Sequence, residues 1–224
     1  MEESRQRTAL ITGGCRGIGK GITKILRDNN FKTITVGVSH CDNDYNVDLS
    51  IPEEIDRLSE QLFDHNIDIL INNAGIVNQT EFLNITPQVL SKIINVNLSS
   101  VFYMTQKFLP NMIKQGWGRV ITVSSLVGHV VGHKNLTHYG ATKAGLVGFT
   151  KCLADEINNK NVTINVILPG CINTRINKLF LFRAPPGTRY GEVEDVAQPV
   201  LDLCLDSSNG ITGKCLQVLG SKYK

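Results

Sequence analysis

The sequence predicts an α/β fold, a doubly wound parallel sheet with helices on both faces. Three observations lead there. Short runs rich in Val and Ile recur along the 224 residues and alternate with stretches of helical periodicity. Those runs are apolar throughout, as in strands buried on both faces, instead of alternating with polar residues. A glycine-rich turn joins the first strand to the first helix, and right-handed crossovers then complete the winding.

In chain order, Thr8–Thr12 reads as a strand, Lys20–Asn29 as a helix and Thr33–Val38 as a second strand. Only Ser39 to Asp44 separate the second strand from the next candidate, Tyr45–Leu49. A parallel crossover normally needs a dozen residues or more. No helix is therefore predicted between the second and third strands, and Cys41-Asp42-Asn43-Asp44 reads as a turn. Ile55–Asp64 is helical, Ile67–Asn72 a strand, and Thr86–Lys114 one or two helices. Arg119–Ser124 is a strand, Tyr139–Asn158 a long helix and Thr163–Leu168 a strand. Asp195–Leu205 is a helix and Cys215–Leu219 the last strand. No linker, internal repeat or low-complexity segment divides residues 1–224, which read as one domain.

Composition narrows the class. Net charge is +3, with Lys and Arg scattered and no basic run, so neither nucleic acid nor an anionic membrane is an expected partner. The six cysteines (Cys15, Cys41, Cys152, Cys171, Cys204 and Cys215) form no CxxC pair. No metal site is expected, and the thiols read as reduced and mostly buried. Met1 to Arg7 are polar and charged, without a signal-like apolar core, and no 18-residue apolar run follows. A soluble cytoplasmic protein is expected. The Asn-x-Ser/Thr triplets at Asn78, Asn84, Asn97, Asn135 and Asn161 are then chance matches.

Thr12-Gly13-Gly14-Cys15-Arg16-Gly17-Ile18-Gly19 follows a strand and opens a helix. Gly13, Gly17 and Gly19 permit a tight turn and let a pyrophosphate approach backbone N–H groups at the positive end of the helix. The same stretch nearly spells a nucleoside-triphosphate loop, Gly14 to Lys20. Gly21 then stands where a magnesium-binding hydroxyl is needed, which excludes that loop. A site preferring NAD places a carboxylate at the end of the second strand. Here that position is Gly37, followed by Val38, Ser39 and His40, so no acid repels a 2′-phosphate. Arg16 can pair with one, so NADP is the expected cofactor over NAD.

Tyr139 and Lys143 stand at i and i+4 on one helix face. A cation beside a phenol stabilises the phenolate and lowers its pKa, as does a helix N-terminus. Such a pair suits proton transfer to a carbonyl or from an alcohol. Ser124-Ser125, Asn72-Asn73-Ala74-Gly75 and Pro169-Gly170 each close a strand. In a doubly wound sheet these ends and the glycine turn share one crevice.

These elements together resemble the short-chain dehydrogenase/reductase family over nearly the whole chain, within a Rossmann-like fold. The motifs are Thr12–Gly19, Asn72–Gly75, Asn97 within Val96-Asn97-Leu98, Ser125, Tyr139 with Lys143, Pro169-Gly170 with Thr174, and Ile211-Thr212-Gly213. The stretches Ile94-to-Tyr103 and Tyr139-to-Ile157 are most similar to the 3-oxoacyl-(acyl-carrier-protein) reductase branch.

The resemblance implies roles. Tyr139 is the general acid, Ser125 binds the substrate carbonyl, and Lys143 binds the nicotinamide ribose and depresses the Tyr139 pKa. Asn97 interrupts its helix and holds a relay water. The cofactor set is Gly13, Cys15, Arg16, Gly17, Ile18, Gly19, Ser39, Asp48, Asn73, Ala74, Gly75, Tyr139, Lys143, Pro169, Gly170, Ile172 and Thr174. Within it, Asp48 meets the adenine and Asn73, Ala74 and Gly75 the adenosine-side ribose. Ile172 and Thr174 lie on the carboxamide and phosphate side. Ser124 is the alternative hydroxyl to Ser125.

The chain departs from the family pattern in three places. The helix after the second strand is missing, the lid region from Thr174 to Arg189 is short, and Leu219-Gly220-Ser221 replaces the usual acidic-Gly-Gly ending. The departures bear on substrate more than on chemistry. The expected activity is reduction of a ketone, such as a 3-oxoacyl thioester, that is free or bound to a carrier protein. Oxidation of a sugar or other small secondary alcohol is the alternative, and a non-catalytic nucleotide scaffold is a third reading. His129, His133 and His138 read as loop residues without a role, and Trp117 as a loop anchor. Apolar Val101, Phe102, Met104, Phe108, Leu146, Val147, Phe149 and Leu153 exceed what one sheet face needs, and Cys215–Leu219 is a sheet edge. A homodimer or homotetramer with two-fold axes is expected.

Overall fold

The computed structural model describes residues 5–38, 41–158, 160–174 and 190–219. Among them the strands are β1 (Thr8–Thr12), β2 (Lys32–Gly37), β3 (Tyr45–Asn46), β4 (Ile67–Asn72), β5 (Gly118–Val123), β6 (Val162–Pro169) and β7 (Cys215–Val218). The helices are α1 (Gly17–Asp28), α2 (Pro52–Gln61), α3 (Pro87–Ile94), α4 (Ser100–Gln115), α5 (Thr137–Glu156) and α6 (Val193–Cys204). The strands pair in parallel in the order β3-β2-β1-β4-β5-β6-β7. The chain winds outward from β1 to β3, then returns past β1 to build the other half. The switch point between β1 and β4 is where such sheets open a ligand crevice.

Two cores explain the unbroken apolar strands. On β1, β4 and β5, Leu10, Leu70 and Val120 face one core, filled by Ile55 and Leu58 of α2 and Met104, Phe108 and Met112 of α4. Their neighbours Ala9, Ile11, Ile69, Ile71 and Ile121 face the other, filled by Ile22 and Leu26 of α1 and Val196 and Val200 of α6. Successive side chains point to opposite faces, so a strand covered on both sides is apolar toward both through most of its length.

The third strand is shorter than its candidate run Tyr45–Leu49, with two residues paired to Val36 and Gly37. Val47 and Leu49, which made the run look longer, are buried against the α2 side without being part of it. No helix lies between β2 and β3 among the described residues. Asp44 instead turns the chain back, its carboxylate accepting from Thr35 N and Thr35 Oγ1 at 2.7 and 2.8 Å.

The single helical stretch before β5 is two helices joined through a π-helical turn, Asn95–Ser99. Trp117 anchors the end of the sheet away from the crevice. Its indole N–H donates to Asp206, and the guanidinium groups of Arg7 and Arg119 lie 3.7 and 4.2 Å from its ring centroid. Arg119 is fully buried there, unlike the solvated cations expected from charge scatter. No helix of the described residues is long and apolar enough to cross a membrane.

Candidate active site

The glycine turn begins where β1 ends. Gly13 has φ +64°, a left-handed conformation that side chains rarely adopt, and a Cβ on Gly19 would come 2.1 Å from the Gly13 carbonyl oxygen. The turn is bound to the end of β4. Thr12 Oγ1 accepts from the backbone N–H groups of Asn73 and Ala74, both at 2.9 Å. Asn73 Nδ2 donates back to the Thr12 and Gly13 carbonyls at 2.8 and 3.2 Å. Asn73 thus shapes the turn, and its amide N–H groups are committed to it. Thr12 opens the sequence motif but was given no role there, and the structure shows it tying the turn to β4.

Helix α1 starts at Gly17, three residues earlier than its periodicity suggests, with exposed Arg16 as an extended N-cap lacking a side-chain cap. Its first N–H groups therefore have no side-chain acceptor. Thr174, after β6, stands over this end, 3.7 Å from where a Gly17 Cβ would be. Pro169 and Gly170 close β6, and Ile172 is buried and bridged to Gly191. Positive-φ backbone, a close approach and a free helix terminus fit a pyrophosphate.

At the outer end, Gly37 closes β2 against the Asn43 side chain, whose Oδ1 and Nδ2 are buried without a hydrogen-bond partner. Asp48 Oδ1 accepts from Ser50 N and Oγ at 2.9 and 2.7 Å, and these bonds hold its carboxyl below the usual range. Ser39 lies outside the described residues, as do the lid residues 175–189 and the ending at Gly220 and Ser221.

One expectation fails here. Cys15 and Cys41, read as reduced thiols, are joined as a disulfide with their Cα atoms 5.9 Å apart. They are far apart in sequence, but β1 and β2 are paired neighbours, Thr12 opposite Val36, so the loops leaving both strands meet. Nor are the remaining cysteines mostly buried: Cys204 is, Cys171 and Cys215 are half-buried, and Cys152 is exposed.

At the inner end, Ser125, Tyr139, Lys143 and Asn97 come together. The two serines after β5 divide their tasks. Ser124 is buried and donates to the Lys143 carbonyl at 2.7 Å, fixing α5 to the strand. Ser125 is half-buried, its Oγ accepts from Val127 N at 3.1 Å, and its hydroxyl lies toward the Tyr139 phenol, whose ionised form it favours. Ser125 thus faces the phenol, and Ser124 does not.

Lys143 Nζ lies 5.8 Å from the Tyr139 ring centroid and donates to the Val123 carbonyl at 3.0 Å. The expected lowering of the Tyr139 pKa is reversed. Burial pushes the phenol up to about 12, against a smaller lowering by Ser125. Burial also pushes Lys143 down to about 8. Desolvation penalises both charged forms, and the ammonium is turned toward a carbonyl instead of the phenol oxygen.

Asn97 sits fully buried in the π turn. Its Oδ1 accepts from Ile76 N at 2.8 Å, and its Nδ2 donates to the Ile76 carbonyl at 2.9 Å. A Cβ on Gly75 would meet Asn97 Oδ1 at 3.4 Å and Lys143 Nζ at 3.5 Å, so Gly75 keeps this corner open. His138 is no loop residue. It is buried in the first turn of α5, its Nε2 3.3 Å from Asn78 Oδ1, and burial lowers its pKa.

This geometry sets a phenol, a hydroxyl and an amine at one end of the strand-end crevice and a glycine turn over a helix N-terminus beside it, an arrangement suited to proton transfer next to a bound nucleotide. The family model for short chain dehydrogenase matches residues 7–181. The chain is 35% identical to 3-oxoacyl-(acyl-carrier-protein) reductase of Buchnera aphidicola subsp. Baizongia pistaciae, covering 99% of each protein. It is likewise 35% identical to the Aquifex aeolicus reductase of that name, covering 97% of each. A crystal structure from Beutenbergia cavernae, provisionally named an NAD(P) dependent gluconate 5-dehydrogenase and carrying NADP at low occupancy, superposes with a TM-score of 0.86. It is 26% identical, with 95% of this chain and 94% of that one covered. The chain belongs to the short-chain dehydrogenase/reductase family.

Proposed function

We propose that residues 1–224 work as one NADP(H)-binding domain that reduces a ketone to a secondary alcohol, with a 3-oxoacyl thioester, free or carrier-bound, as the substrate class. The Tyr139 phenol in a desolvated corner, with the Ser125 hydroxyl toward it and Lys143 Nζ 5.8 Å from its ring, carries this reading. A phenol held near about 12 stays protonated at neutral pH, so it is ready to donate. Similarity to the two bacterial reductases supports the substrate class. The absence of an acid at Gly37, with Arg16 exposed nearby, supports NADP over NAD, as does the NADP of the Beutenbergia protein.

The bound dinucleotide supplies the hydride. Gly13, Cys15, Arg16, Gly17, Ile18 and Gly19, with Thr174 above them, hold its phosphates. Ser39 and Asp48 lie on the adenosine side, and Asn73, Ala74 and Gly75 line the floor. Pro169, Gly170 and Ile172 bound the nicotinamide side. Ser125 turns its hydroxyl to the substrate carbonyl and polarises it. Tyr139 gives its proton to that oxygen as charge develops there. Lys143 orients the ribose and, through its ammonium, stabilises the phenolate left behind. The π turn around Asn97 widens the helix and displaces main-chain hydrogen bonds, which suits a relay water that returns the proton.

The decisive assay is NADPH oxidation with a panel of ketones and 3-oxoacyl thioesters. Turnover of the thioesters is expected, and no turnover with any carbonyl would refute the reading. The Beutenbergia neighbour favours a second reading, oxidation of a sugar acid with NADP, which the reverse assay on gluconate tests.

We also propose a two-fold homodimer or homotetramer. Much of the supposed apolar surplus packs on the protein's own sheet, since Val101, Met104, Phe108, Leu146 and Val147 are buried. What remains is narrower: Phe102 and Tyr103 are exposed on α4, and Phe102 stacks on Phe149 of α5 with ring centroids 4.6 Å apart. β7 is also a sheet edge. Light scattering at micromolar concentration is expected to give a multiple of 24.7 kDa, and a mass of one chain would rule the assembly out.

A further inference from the structure

The adenosine end of the crevice carries a cysteine pair. Two half-buried cysteines, Cys15 in the glycine turn and Cys41 in the loop after β2, are joined there. The two segments they tie are the pair that a dinucleotide separates. The first βα turn meets the phosphates, and the end of the second strand meets the ribose 2′-position. With Cα atoms at 5.9 Å, the tied segments leave little room. Two N–H···O bonds of about 2.9 Å, one to each side of a phosphate, already add up to that span before the phosphate's own width.

A second observation concerns the lining. The Asn43 side chain, two residues beyond Cys41 and against Gly37, is buried with neither its oxygen nor its nitrogen hydrogen-bonded. Buried polar groups are seldom left so. In the linked form this amide has no hydrogen-bond partner, and a ribose or phosphate entering the gap would supply one.

We propose that Cys15 and Cys41 form a redox-modification site that controls access to the cofactor: the dithiol admits NADP(H), and the disulfide shuts its adenosine end. This rests on the cofactor reading above. The oxidant is a small disulfide of the glutathione class. One cysteine thiolate attacks the oxidant's sulfur, forming a mixed disulfide and releasing one small thiol. The other cysteine then attacks the protein-bound sulfur. The Cys15–Cys41 bond forms and the second small thiol leaves. Two protons and two electrons pass from the pair to the oxidant, whose S–S bond is broken. Paired thiols that oxidise reversibly in a reducing compartment are typically redox-sensing.

The test uses the full chain, reduced with dithiothreitol or oxidised with glutathione disulfide. Peptide mass mapping without reductant identifies the link, and NADPH titration gives the affinity. Oxidation is expected to produce the Cys15–Cys41 peptide and weaken NADPH binding by about 5–150-fold, the usual range for coupled states. Fresh dithiothreitol is expected to restore affinity in the same sample, and Cys41→Ser to form no intramolecular link and to bind NADPH as the reduced wild type does when no oxidant is added. The restoration in wild-type protein is decisive even if Cys41→Ser does not fold. Failure to form the Cys15–Cys41 peptide overturns the proposal. So does a linked protein that binds NADPH as tightly as the reduced one. A reduced protein that binds neither NADPH nor NADH, yet still forms the link, overturns the cofactor reading and the gating with it.

Discussion

The two ends of the crevice are built on opposite principles. At the inner end the reacting groups stand on α5 and the π turn, and each is held by a packed neighbour. Ser124 locks Lys143's backbone, Val123 holds its amine, and Ile76 grips both polar atoms of the Asn97 amide. At the outer end the residues hang on loops: exposed Arg16, the turn after β2, and a two-residue β3 reached from β2 without a helix among the described residues. Rigid elements position chemistry closely, whereas loops let binding preference and regulation vary at little cost to the core. Proton transfer should therefore be sensitive to single atoms at the inner end, while changes at the outer end should redirect binding and leave the chemical step intact.

The largest expected effect follows from removing one oxygen at the inner end. Tyr139→Phe keeps the ring but deletes the transferable proton and the partner of Ser125. Single-turnover reduction is expected to slow by about 10²–10⁴-fold with NADPH affinity nearly unchanged. If turnover stays near wild type while chemistry limits the rate, the inner end is not where the proton moves.

A smaller effect is expected at the outer end. Gly37→Asp puts a carboxylate where an NAD site has one. A Cβ there comes 3.2 Å from Asn43 Nδ2, so the amide must shift by a few tenths of an ångström. Nothing else holds that amide, and Nδ2 can donate to the new carboxylate. The ratio of NADPH to NADH affinity is expected to fall by about tenfold or more, the scale of one charge-assisted hydrogen bond. Titration of both cofactors into both proteins checks it. Tighter NADH binding by the wild type would show that the outer end does not select NADP.

What was legible in the sequence divides along the same line. Strands buried on both faces are mostly apolar on both, so the Val- and Ile-rich centres of β1, β4, β5 and β6 could be found by composition. Tyr139 and Lys143 stand at i and i+4, so helical periodicity placed them together, and Ser125 was placed beside them because it closes a strand. The illegible features depend on tertiary contact or on solvation. Cys15 meets Cys41 only because β1 pairs with β2. Arg119 is buried only because Trp117 and the segment after α6 fold over it. Val47 and Leu49 looked like strand because they fill a core, which periodicity does not distinguish from pairing. The direction of the Tyr139 shift was misread because i,i+4 spacing gives proximity to a cation but not the burial of both groups.

That correction yields the last prediction, which compares the two ends through pH. Burial sets Lys143 at about 8 and Tyr139 at about 12 in the free protein. Reduction needs the phenol protonated and the amine charged, and both conditions hold below about 8. The value of kcat/KM for the carbonyl is expected to be level near neutrality and to drop about tenfold per pH unit above that point, as Lys143 loses its proton. Lys143→Arg keeps its charge throughout this range, so its profile is expected to lack the fall even if its maximum is lower. The sign for stability is opposite. Lys143 is depressed on folding from its unfolded value near ~10.4, so the unfolded chain binds more protons between the two values. Folding stability from this group therefore rises with pH across that window while activity falls. NADPH affinity, set at the outer end, should not follow the activity limb closely. A profile level to pH ~10 in the wild type would mean that Lys143 stays charged and that burial does not govern the inner end.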